Sequence, residues 1–524
     1  MRAACLALLV IACGPGAAAP AEYPRLPRPA GQAPRTDAEP EREPLAAGAR
    51  LITQRSASPI VTFRVVFSAG SAADGPGREG ITMLTARLMA EGGAGELSYA
   101  ELSQRLYPMA ARLDVHVGRD QTAFVGQVHR DHLEEFYSLF RDVLSRPRMA
   151  QGDFTRIRDQ MRHALTVELR GADDEELGKE TLQAMLYEGH PYGHPALGTE
   201  AGLARIQVDD ARAHRGRVLC AGRSLAGIAG DVPEGFEQRV QRDVDAIRSA
   251  SCVGRETLPA PPRVEAPRIW IVHRPEAAAT AVSMGFPIEV TRDHPDYPAL
   301  VLATAWLGQH RQFVGRLMQA IRGERGLNYG DYAYPEHFTQ MGWTRFPVTN
   351  DARRQQYFSI WLRPLRPDQA HFAIRLAVRE LRRLHERGLS EEELTSVRNF
   401  ADAYFALNLQ TAAQRLGYAI DDAFYGVDRP YLERLRAAWS ALTREELDAV
   451  IRRHLDPSRL QIAIVAADAE ALADRLAQET ESPITYRSSV PARVLEEDRE
   501  IVGYRLGIAR ERIRVVPAAE LFAR

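Results

Sequence analysis

The same order of predicted elements occurs twice along this chain, on either side of one proline-rich segment. That segment reads Leu258-Pro259-Ala260-Pro261-Pro262, with Pro267 just beyond it, and its composition is typical of a linker. On each side, a strand is followed by a helix, a strand hairpin and two long helices over roughly 200 residues, the size of one α+β domain. The repeat therefore predicts an α+β protein with two similar halves, each an α/β sandwich in which helices cover a mixed sheet.

Length and charge limit the class of protein further. The 524 residues are too many for one hydrophobic core and indicate about two to four domains. We expect a first half over residues 45–257, the linker over 258–267 and a second half over 268–524. The formal net charge is −2 and the charges alternate in sign along the predicted helices, so no basic face for nucleic acid is predicted.

The first twenty residues, 1–20, have the pattern of an export signal. One arginine precedes the apolar run Ala3–Ala12, which is too short to span a bilayer as a permanent helix. Val10-Ile11-Ala12-Cys13 resembles the bacterial lipobox and predicts acylation of Cys13, with ordinary cleavage near Ala17–Ala19 as the alternative. Residues 21–44 then form a tether rich in Pro, Arg and Glu. Either signal predicts an exported, periplasmic protein, and a lipid on Cys13 would tether it to the outer membrane.

Cys220 and Cys252 are the two cysteines that remain after the export signal. An oxidising compartment permits a disulfide between them, and two buried thiols are the alternative. Two cysteines without a neighbouring histidine cluster do not form a zinc site.

The second half contains a short predicted helix with a clear apolar face. Phe313, Leu317 and Ile321 recur at helical spacing, which predicts a helix over Gln312–Ile321 with these three residues on its buried side. Much further on, the tail Ile501–Leu521 is expected to return a final strand to a sheet edge.

Two residues that follow this helix can bind an oxygen atom. Arg322 closes the helix, and Tyr329 comes seven residues later at the start of a predicted strand, Tyr329–Tyr334. A guanidinium and a phenol held together can bind a carbonyl oxygen, or the oxyanion that it becomes. The alternative interpretation is a surface arginine and a half-buried core tyrosine.

Short segments in both halves resemble one known family. In the first half they are Val61–Phe67, Gly80-Ile81, Gly189-His190-Pro191-Tyr192-Gly193 and Gly230-Asp231. In the second half they are Asp296-Tyr297, Leu307-Gly308, Arg316-Leu317 and Arg322-Gly323-Glu324-Arg325-Gly326-Leu327-Asn328-Tyr329. In this order they resemble the pitrilysin/insulinase metallopeptidases, in particular the two-domain branch that includes mitochondrial processing peptidase and bacterial relatives. The resemblance implies half of a hollow, clam-like shell.

The zinc motif of that family is missing. Active members carry H-x-x-E-H on the helix after the glycine-rich turn, where two histidines bind zinc and the glutamate activates water. Counted from Gly80-Ile81, these positions are Met83, Ala86 and Arg87, none of which can bind zinc or act as a base. The family's third ligand matches Glu168, one carboxylate that cannot hold catalytic zinc alone. We therefore expect no metal and no other cofactor in this chain.

The resemblance also gives Arg322 and Tyr329 a role. In the family, an arginine and a tyrosine seven residues apart contact the substrate carbonyl opposite the zinc. In the two-domain branch, one subunit often brings the metal and the other brings this pair. We therefore expect a non-zinc subunit that forms a heterodimer with a zinc-bearing homologue and acts with it on unfolded peptides.

Two other functions stay open. The chain could be a catalytically inactive scaffold, in which case replacing Arg322 or Tyr329 changes nothing. It could also be a periplasmic peptide-binding module, in which case the chain alone binds peptides.

Overall fold

The computed structural model of the protein describes residues 51–340, 342, 346–486 and 489–524. The predicted export signal 1–20, the lipidation candidate Cys13 and the tether 21–44 lie outside these ranges. Within the described ranges, no helix combines the length and the apolar composition that a membrane span needs.

The first half is a five-stranded mixed sheet with helices. Its elements are β1 (Leu51–Arg55), β2 (Ile60–Phe67), α1 (Ile81–Glu91), α2 (Tyr99–Leu106), β3 (Arg112–Val117), β4 (Thr122–His129), α3 (Leu133–Ser145), α4 (Gln151–His163), α5 (Asp174–Leu186), α6 (Glu200–Arg205), α7 (Val208–Val218), β5 (Ser224–Gly230) and α8 (Phe236–Asp245). The strands lie in the order β1-β5-β2-β4-β3. β1 and β5 are parallel, and the other neighbours are antiparallel.

The second half repeats this plan. Its elements are β6 (Arg268–His273), β7 (Thr280–Ile288), α9 (Tyr297–Gly308), β8 (Asp331–Tyr334), β9 (Gln356–Leu365), α10 (Ala370–Arg387), α11 (Glu391–Ala406), α12 (Ala412–Tyr425), α13 (Tyr431–Ala441), α14 (Arg444–His454), β10 (Gln461–Ala466), α15 (Ala469–Ala477), α16 (Ala492–Val502) and β11 (Ile513–Pro517). The strand order is β11-β6-β10-β7-β9-β8. Without β11 this is the order of the first sheet, so the prediction of two similar mixed sheets covered by helices is confirmed. The return of the tail to a sheet edge is confirmed by β11, which pairs with β6 in parallel.

Each half covers one face of the other half's sheet with a helix. α5 of the first half packs on β7 and β10, where Leu177 contacts the cluster that contains Val465. α12 of the second half packs on β1 and β5, where Leu416 and Ile420 lie among residues such as Ile52. We call α5 and α12 the exchanged helices. Because burying apolar surface contributes roughly 25 cal/mol per Å², each half is stabilised by an element of the other.

The proline-rich linker is fixed on its N-terminal side. Cys220 and Cys252 form a disulfide across 32 residues, so of the two alternatives the structure has the bonded one. Arg223 then forms an ion pair with Glu256 (3.0 Å). The carbonyl oxygen of Pro259 lies 3.0 Å from Nε2 of His190 in the first half.

Two predicted boundaries around residue 320 are wrong. Gln312–Gly315 form turns, and helical structure begins only at Arg316. Arg311 has a φ of 52°, and a Cβ on Gly315 would lie 2.6 Å from the Cα of Gly308. A left-handed residue followed by this close backbone approach prevents an earlier helix start. The strand also begins later than predicted, at Asp331 and not at Tyr329.

Gly227 on β5 tests the packing of the exchanged helix α12. A Cβ at this position would lie 2.7 Å from Cδ1 of Leu416 and 2.9 Å from Cδ1 of Ile420, both of which are buried. We expect Gly227→Ala to lower the free energy of unfolding by about 1–3 kcal/mol, since overpacking displaces these side chains. Urea unfolding measures the effect.

Gly152→Ala is the matched control for this prediction. Gly152 lies on α4, and a Cβ there would meet no atom within 4 Å. Because alanine is the better helix former, the control should be neutral or stabilising by up to about 1 kcal/mol. Equal effects of the two substitutions would contradict the packing described for α12.

Candidate functional site

Arg322 and Tyr329 lie together beside the edge strand β8. Arg322 is in the π-helical segment Met318–Gly323, and Tyr329 comes two residues before β8. Between them Gly326 adopts the left-handed φ of 64°, and its N–H donates to the carbonyl oxygen of Arg322 at 2.9 Å. This reversal brings two residues that are seven apart in sequence into contact. π-helical segments are rare and are frequent at functional sites.

The guanidinium of Arg322 contacts two exposed aromatic rings. Its Nη1 donates to the backbone oxygen of Tyr329 at 3.0 Å, and its Cζ lies 4.5 Å from the centre of the Tyr329 ring. The Cζ also lies 4.5 Å from the centre of the Phe313 ring. Among the described residues Arg322 has no other hydrogen bond or ion pair, so most of its N–H donors are available to a ligand. The three side chains form a cation–π cluster, which we call the Arg322 cluster.

The exposed fraction of each side chain tests whether the residue lies where the sequence predicted. Tyr329 is 68% exposed, so the interpretation as a half-buried core tyrosine is wrong. Phe313 is 63% exposed, and its predicted place on the buried face of a helix is wrong as well. Leu317 and Ile321 are fully buried, as predicted. The phenol and the guanidinium are therefore within reach of a molecule that approaches the edge of the second sheet.

Asn328 holds the turn that carries Tyr329. Its Nδ2 donates to Oδ1 of Asp331 at 2.6 Å and to the carbonyl oxygen of Arg363 on β9 at 3.1 Å. Its Oδ1 accepts from the N–H of Gly330 at 3.2 Å. An asparagine side chain that bonds its own backbone two residues on is a common turn device. The position of Tyr329 is thus fixed from the second sheet.

Asp331 is the most deeply buried acid at this site. Its side chain is fully buried, and Oδ2 has no hydrogen-bond partner among the described residues. Burial raises the pKa of Asp331 well above its usual value of 3.8, and the Asn328 hydrogen bond and the charge of Arg322 oppose this only partly. The protonated form of the acid is therefore favoured.

Ion pairs anchor both ends of the π-helical segment. Arg316 binds Glu380 of α10 at 2.7 Å and Glu497 of α16 at 3.2 Å. Arg325, whose side chain is completely buried, binds Glu497 at 2.7 Å and Asp498 at 2.8 Å. Bidentate and buried pairs of this kind fix geometry more than they add stability. The backbone that carries Arg322 is therefore held from two sides.

The three positions matched to the zinc motif lie on α1 and carry other contacts. Ala86 is fully buried in the core of the first half, and Met83 packs against the same core. Arg87 forms a bidentate pair with Glu91 (2.8 and 2.7 Å), and its Nη2 also donates to Gln160 of α4 at 3.0 Å. A thioether, a methyl group and a paired guanidinium supply no ligand for zinc.

Glu168, matched to the family's third ligand, is exposed within a second π-helical segment, Ala164–Leu169. Its backbone oxygen accepts from Ala172 and Asp173 (3.1 and 2.9 Å). Over the ranges that the structure describes, no three His, Cys, Asp or Glu side chains are grouped so that they could hold a metal ion.

Sequence reasoning missed Phe313, Asn328 and Asp331 as parts of this site. For Phe313 the signal is the pair Gly308 and Gly315, which marks a turn where helical periodicity predicts a helix. The spacing Asn-x-x-Asp beside a predicted strand is compatible with a side-chain turn, but it gives no sign of burial.

The structure is a two-domain α+β protein whose halves share one sheet topology. Residues 50–200 match the family described as "Insulinase (Peptidase family M16)", and residues 206–400 match "Peptidase M16 inactive domain". The chain belongs to the insulinase, or M16, peptidase family.

Known relatives include a protein that is named as a non-peptidase homologue. The non-peptidase homolog YmxG of Helicobacter pylori is 21% identical over 415 residues, which cover 78% of this chain and 89% of the relative. The mitochondrial cytochrome b-c1 complex subunit 1 of Caenorhabditis elegans is 22% identical over 432 residues, or 78% of this chain and 84% of that protein. The crystal structure of a peptidase M16 inactive domain from Pseudomonas fluorescens superposes with a TM-score of 0.69 at 23% identity, over 81% of this chain and 97% of that one. The chain is thus similar to a homologue named as a non-peptidase, and it is also similar to proteins named as uncharacterized zinc proteases.

Asp331→Asn tests the burial of the acid beneath the Arg322 cluster. Because the folded-state pKa is raised above 3.8, the contribution of Asp331 to stability is complete below pH of about 4 and is lost as the pH rises through the raised pKa. The free energy of unfolding of the wild type, relative to that of Asp331→Asn, should therefore fall steadily from pH of about 4 upward. Urea unfolding of both proteins across this range measures the difference.

Asp368→Asn serves as the control, because Asp368 is exposed and pairs with the exposed Arg366. The difference in the free energy of unfolding between the wild type and Asp368→Asn should not fall as the pH rises. A constant difference for Asp331→Asn would show that Asp331 titrates as an ordinary acid.

Proposed function

We propose that this chain is the non-zinc subunit of an exported peptidase. In this proposal a zinc-bearing homologue binds the metal, and Arg322 and Tyr329 of this chain bind the carbonyl oxygen of the peptide bond to be cut. The observation that carries the proposal is the exposed contact between Arg322 and Tyr329, combined with the absence of ligand atoms at Met83, Ala86 and Arg87.

The chemistry of the Arg322 cluster suits a developing negative charge. The guanidinium is always charged, and its geometry is set before a ligand arrives by the two rings and by the Tyr329 carbonyl. Donors held in place before the reaction stabilise an oxyanion better than donors that must reorganise. The ion pairs of Arg316 and Arg325 supply the rigidity that such a role needs.

A peptide could also bind by adding a strand to a sheet edge, through its main chain and with little dependence on its sequence. β8 lies at one end of the second sheet, and among the described strands it pairs only with β9. All four residues of β8 are buried, and a Cβ on Gly308 would lie 2.9 Å from the backbone N of Ala333, so neighbouring chain packs closely on this strand. A peptide added beside β8 would therefore have to displace part of this packing.

The proposal also includes export of the chain and its attachment to a membrane by a lipid. The lipobox-like segment before Cys13 favours an anchored periplasmic protein. The disulfide between Cys220 and Cys252 supports an exported location, since structural disulfides persist in oxidising compartments.

A scaffold is the second candidate function. Two similar proteins, a non-peptidase homolog and a subunit of the cytochrome b-c1 complex, favour it. In this case the chain would contribute surface to an assembly, and the Arg322 cluster would have no chemical task.

Arg322→Ala and Tyr329→Phe separate the two candidates. The protein is co-expressed with a zinc-bearing homologue from the same organism, and turnover of an unfolded peptide by the purified complex is measured. Loss of one oxyanion donor should lower kcat by about 10²-fold, while size-exclusion chromatography should show an unchanged complex.

Arg366→Ala and Tyr107→Phe are the matched controls, because both side chains are exposed and lie outside the site. Unchanged turnover in the Arg322 and Tyr329 variants would favour the scaffold. Peptide binding by the chain alone, without a partner, would favour the binding module. Stoichiometric zinc and peptidase activity in the chain alone would overturn the proposal.

A further inference from the structure

A cavity of about 120 Å³, partly open to solvent, lies at the junction of the two halves. It lies between the tip of the β3–β4 hairpin, the exchanged helix α5 and the connection between β8 and β9. The charged side chains and histidines that line it include Arg119, Lys179, Glu180, His337, Asp351 and Arg353. Gly118 permits the close approach, since a Cβ there would lie 1.9 Å from Oδ1 of Asp351.

Two of the cations have acidic partners. Nη2 of Arg119 lies 2.8 Å from Glu180. Lys179 lies 3.1 Å from Glu175 and 3.3 Å from Glu176, and its ammonium is 4.0 Å from the centre of the Trp361 ring. These charges are compensated within the protein.

Arg353 is a buried cation with no carboxylate partner among the described residues. It is 3% exposed, and its Nη1 donates to the amide oxygen of Gln183 at 2.8 Å. Its Nε has no acceptor in the described part of the chain. Nε of Arg119 and Nε1 of Trp361, both on buried residues of the same lining, also lack acceptors. Buried donors without partners are costly, so an acceptor in the cavity would be bound favourably.

Asp351 is the opposite case, an anion with no arginine or lysine partner among the described residues. Its Oδ2 accepts from Thr339 at 2.5 Å and lies 3.2 Å from Nε2 of His337. Its Oδ1 has no hydrogen-bond donor and lies 3.6 Å from Nε2 of His116. Burial lowers the pKa of His337 to about 4, so this imidazole is neutral at pH 7 and supplies no full positive charge to Asp351. Against the opposing effect of burial, the contacts with His337 and His116 hold the pKa of Asp351 well below its usual value, so the carboxylate is charged.

We propose that this cavity binds a small zwitterion, a free α-amino acid. Its carboxylate would bind Arg353 and accept from the unpartnered donors of Arg119 and Trp361. Its ammonium group would donate to Oδ1 of Asp351. One ligand would then satisfy an unmatched cation and an unmatched anion that line the same space, which neither a simple anion nor a simple cation can do.

The volume limits the side chain of the ligand. A cavity of this volume has room for several water molecules or for an amino acid as small as glycine or alanine. The proposal does not depend on the role of Arg322 and Tyr329, since neither of these two residues lines the cavity.

Equilibrium dialysis of the purified chain with radiolabelled glycine and alanine tests the proposal. We expect saturable binding of both at one site per chain. Leucine should bind at least tenfold more weakly because of its size, roughly the discrimination expected for extra methylenes. Acetate, methylammonium and glycinamide, which carry only one of the two charges, should each compete at least tenfold more weakly than glycine.

Arg353→Gln and Asp351→Asn should each weaken glycine binding by about tenfold or more. Arg366→Gln and Asp368→Asn, which remove an exposed ion pair, should leave it unchanged. If a cavity variant does not fold, the ligand series on the wild type still decides. Acetate that binds as tightly as glycine would identify a plain anion site and overturn the proposal. No saturable binding of glycine or alanine would mean that only water occupies the cavity, and would also overturn it.

Discussion

The exchange of α5 and α12 is the interaction on which the rest of the structure depends. Each sheet packs its own helices on one face and needs an element of the other half on the second face. Gly227 shows how close this packing is, because a single added methyl group would contact Leu416 and Ile420. The exchange also brings the β3–β4 hairpin against residues 350–354, where Asp120 binds Arg354 at 2.8 Å. The junction and its cavity are a consequence of this arrangement.

The second half holds the two candidate site residues, Arg322 and Tyr329, in fixed positions. Arg322 is held through its neighbours by α10 and α16, and Tyr329 is held by the Asn328 turn. In the first half, α1 is the helix that matches the zinc helix of the family, and its positions 83, 86 and 87 carry side chains that pack or form ion pairs within the chain. The second half thus presents hydrogen-bond donors at its surface. In the first half, the matched positions of α1 carry only structural contacts. This asymmetry is the basis of the proposed pairing with a metal-bearing homologue.

Most of the fold could be predicted from the sequence, because apolar periodicity and glycine-rich turns act locally. The duplication was predicted from element order, but the exchange of α5 and α12 was not, since it depends on packing between segments that are about 100 residues or more apart in the sequence. At the site, the pairing of Arg322 with Tyr329 was predicted through a family motif. The places of Phe313 and Asp331 could not be, because helical spacing does not reveal the backbone contact between Gly308 and Gly315, and burial of a single acid leaves no local pattern.

A cryo-EM structure of this chain, co-purified with a zinc-bearing homologue and a peptide, tests directly whether Arg322 and Tyr329 contact the substrate. The catalytic glutamate of the homologue is replaced so that the bound peptide is not cut. We expect the Arg322 guanidinium and the Tyr329 hydroxyl to lie at hydrogen-bond distance, about 2.7–3.2 Å, from the peptide carbonyl nearest the zinc. A peptide that contacts neither residue, or an assembly in which the Arg322 cluster faces away from the zinc, would contradict this expectation.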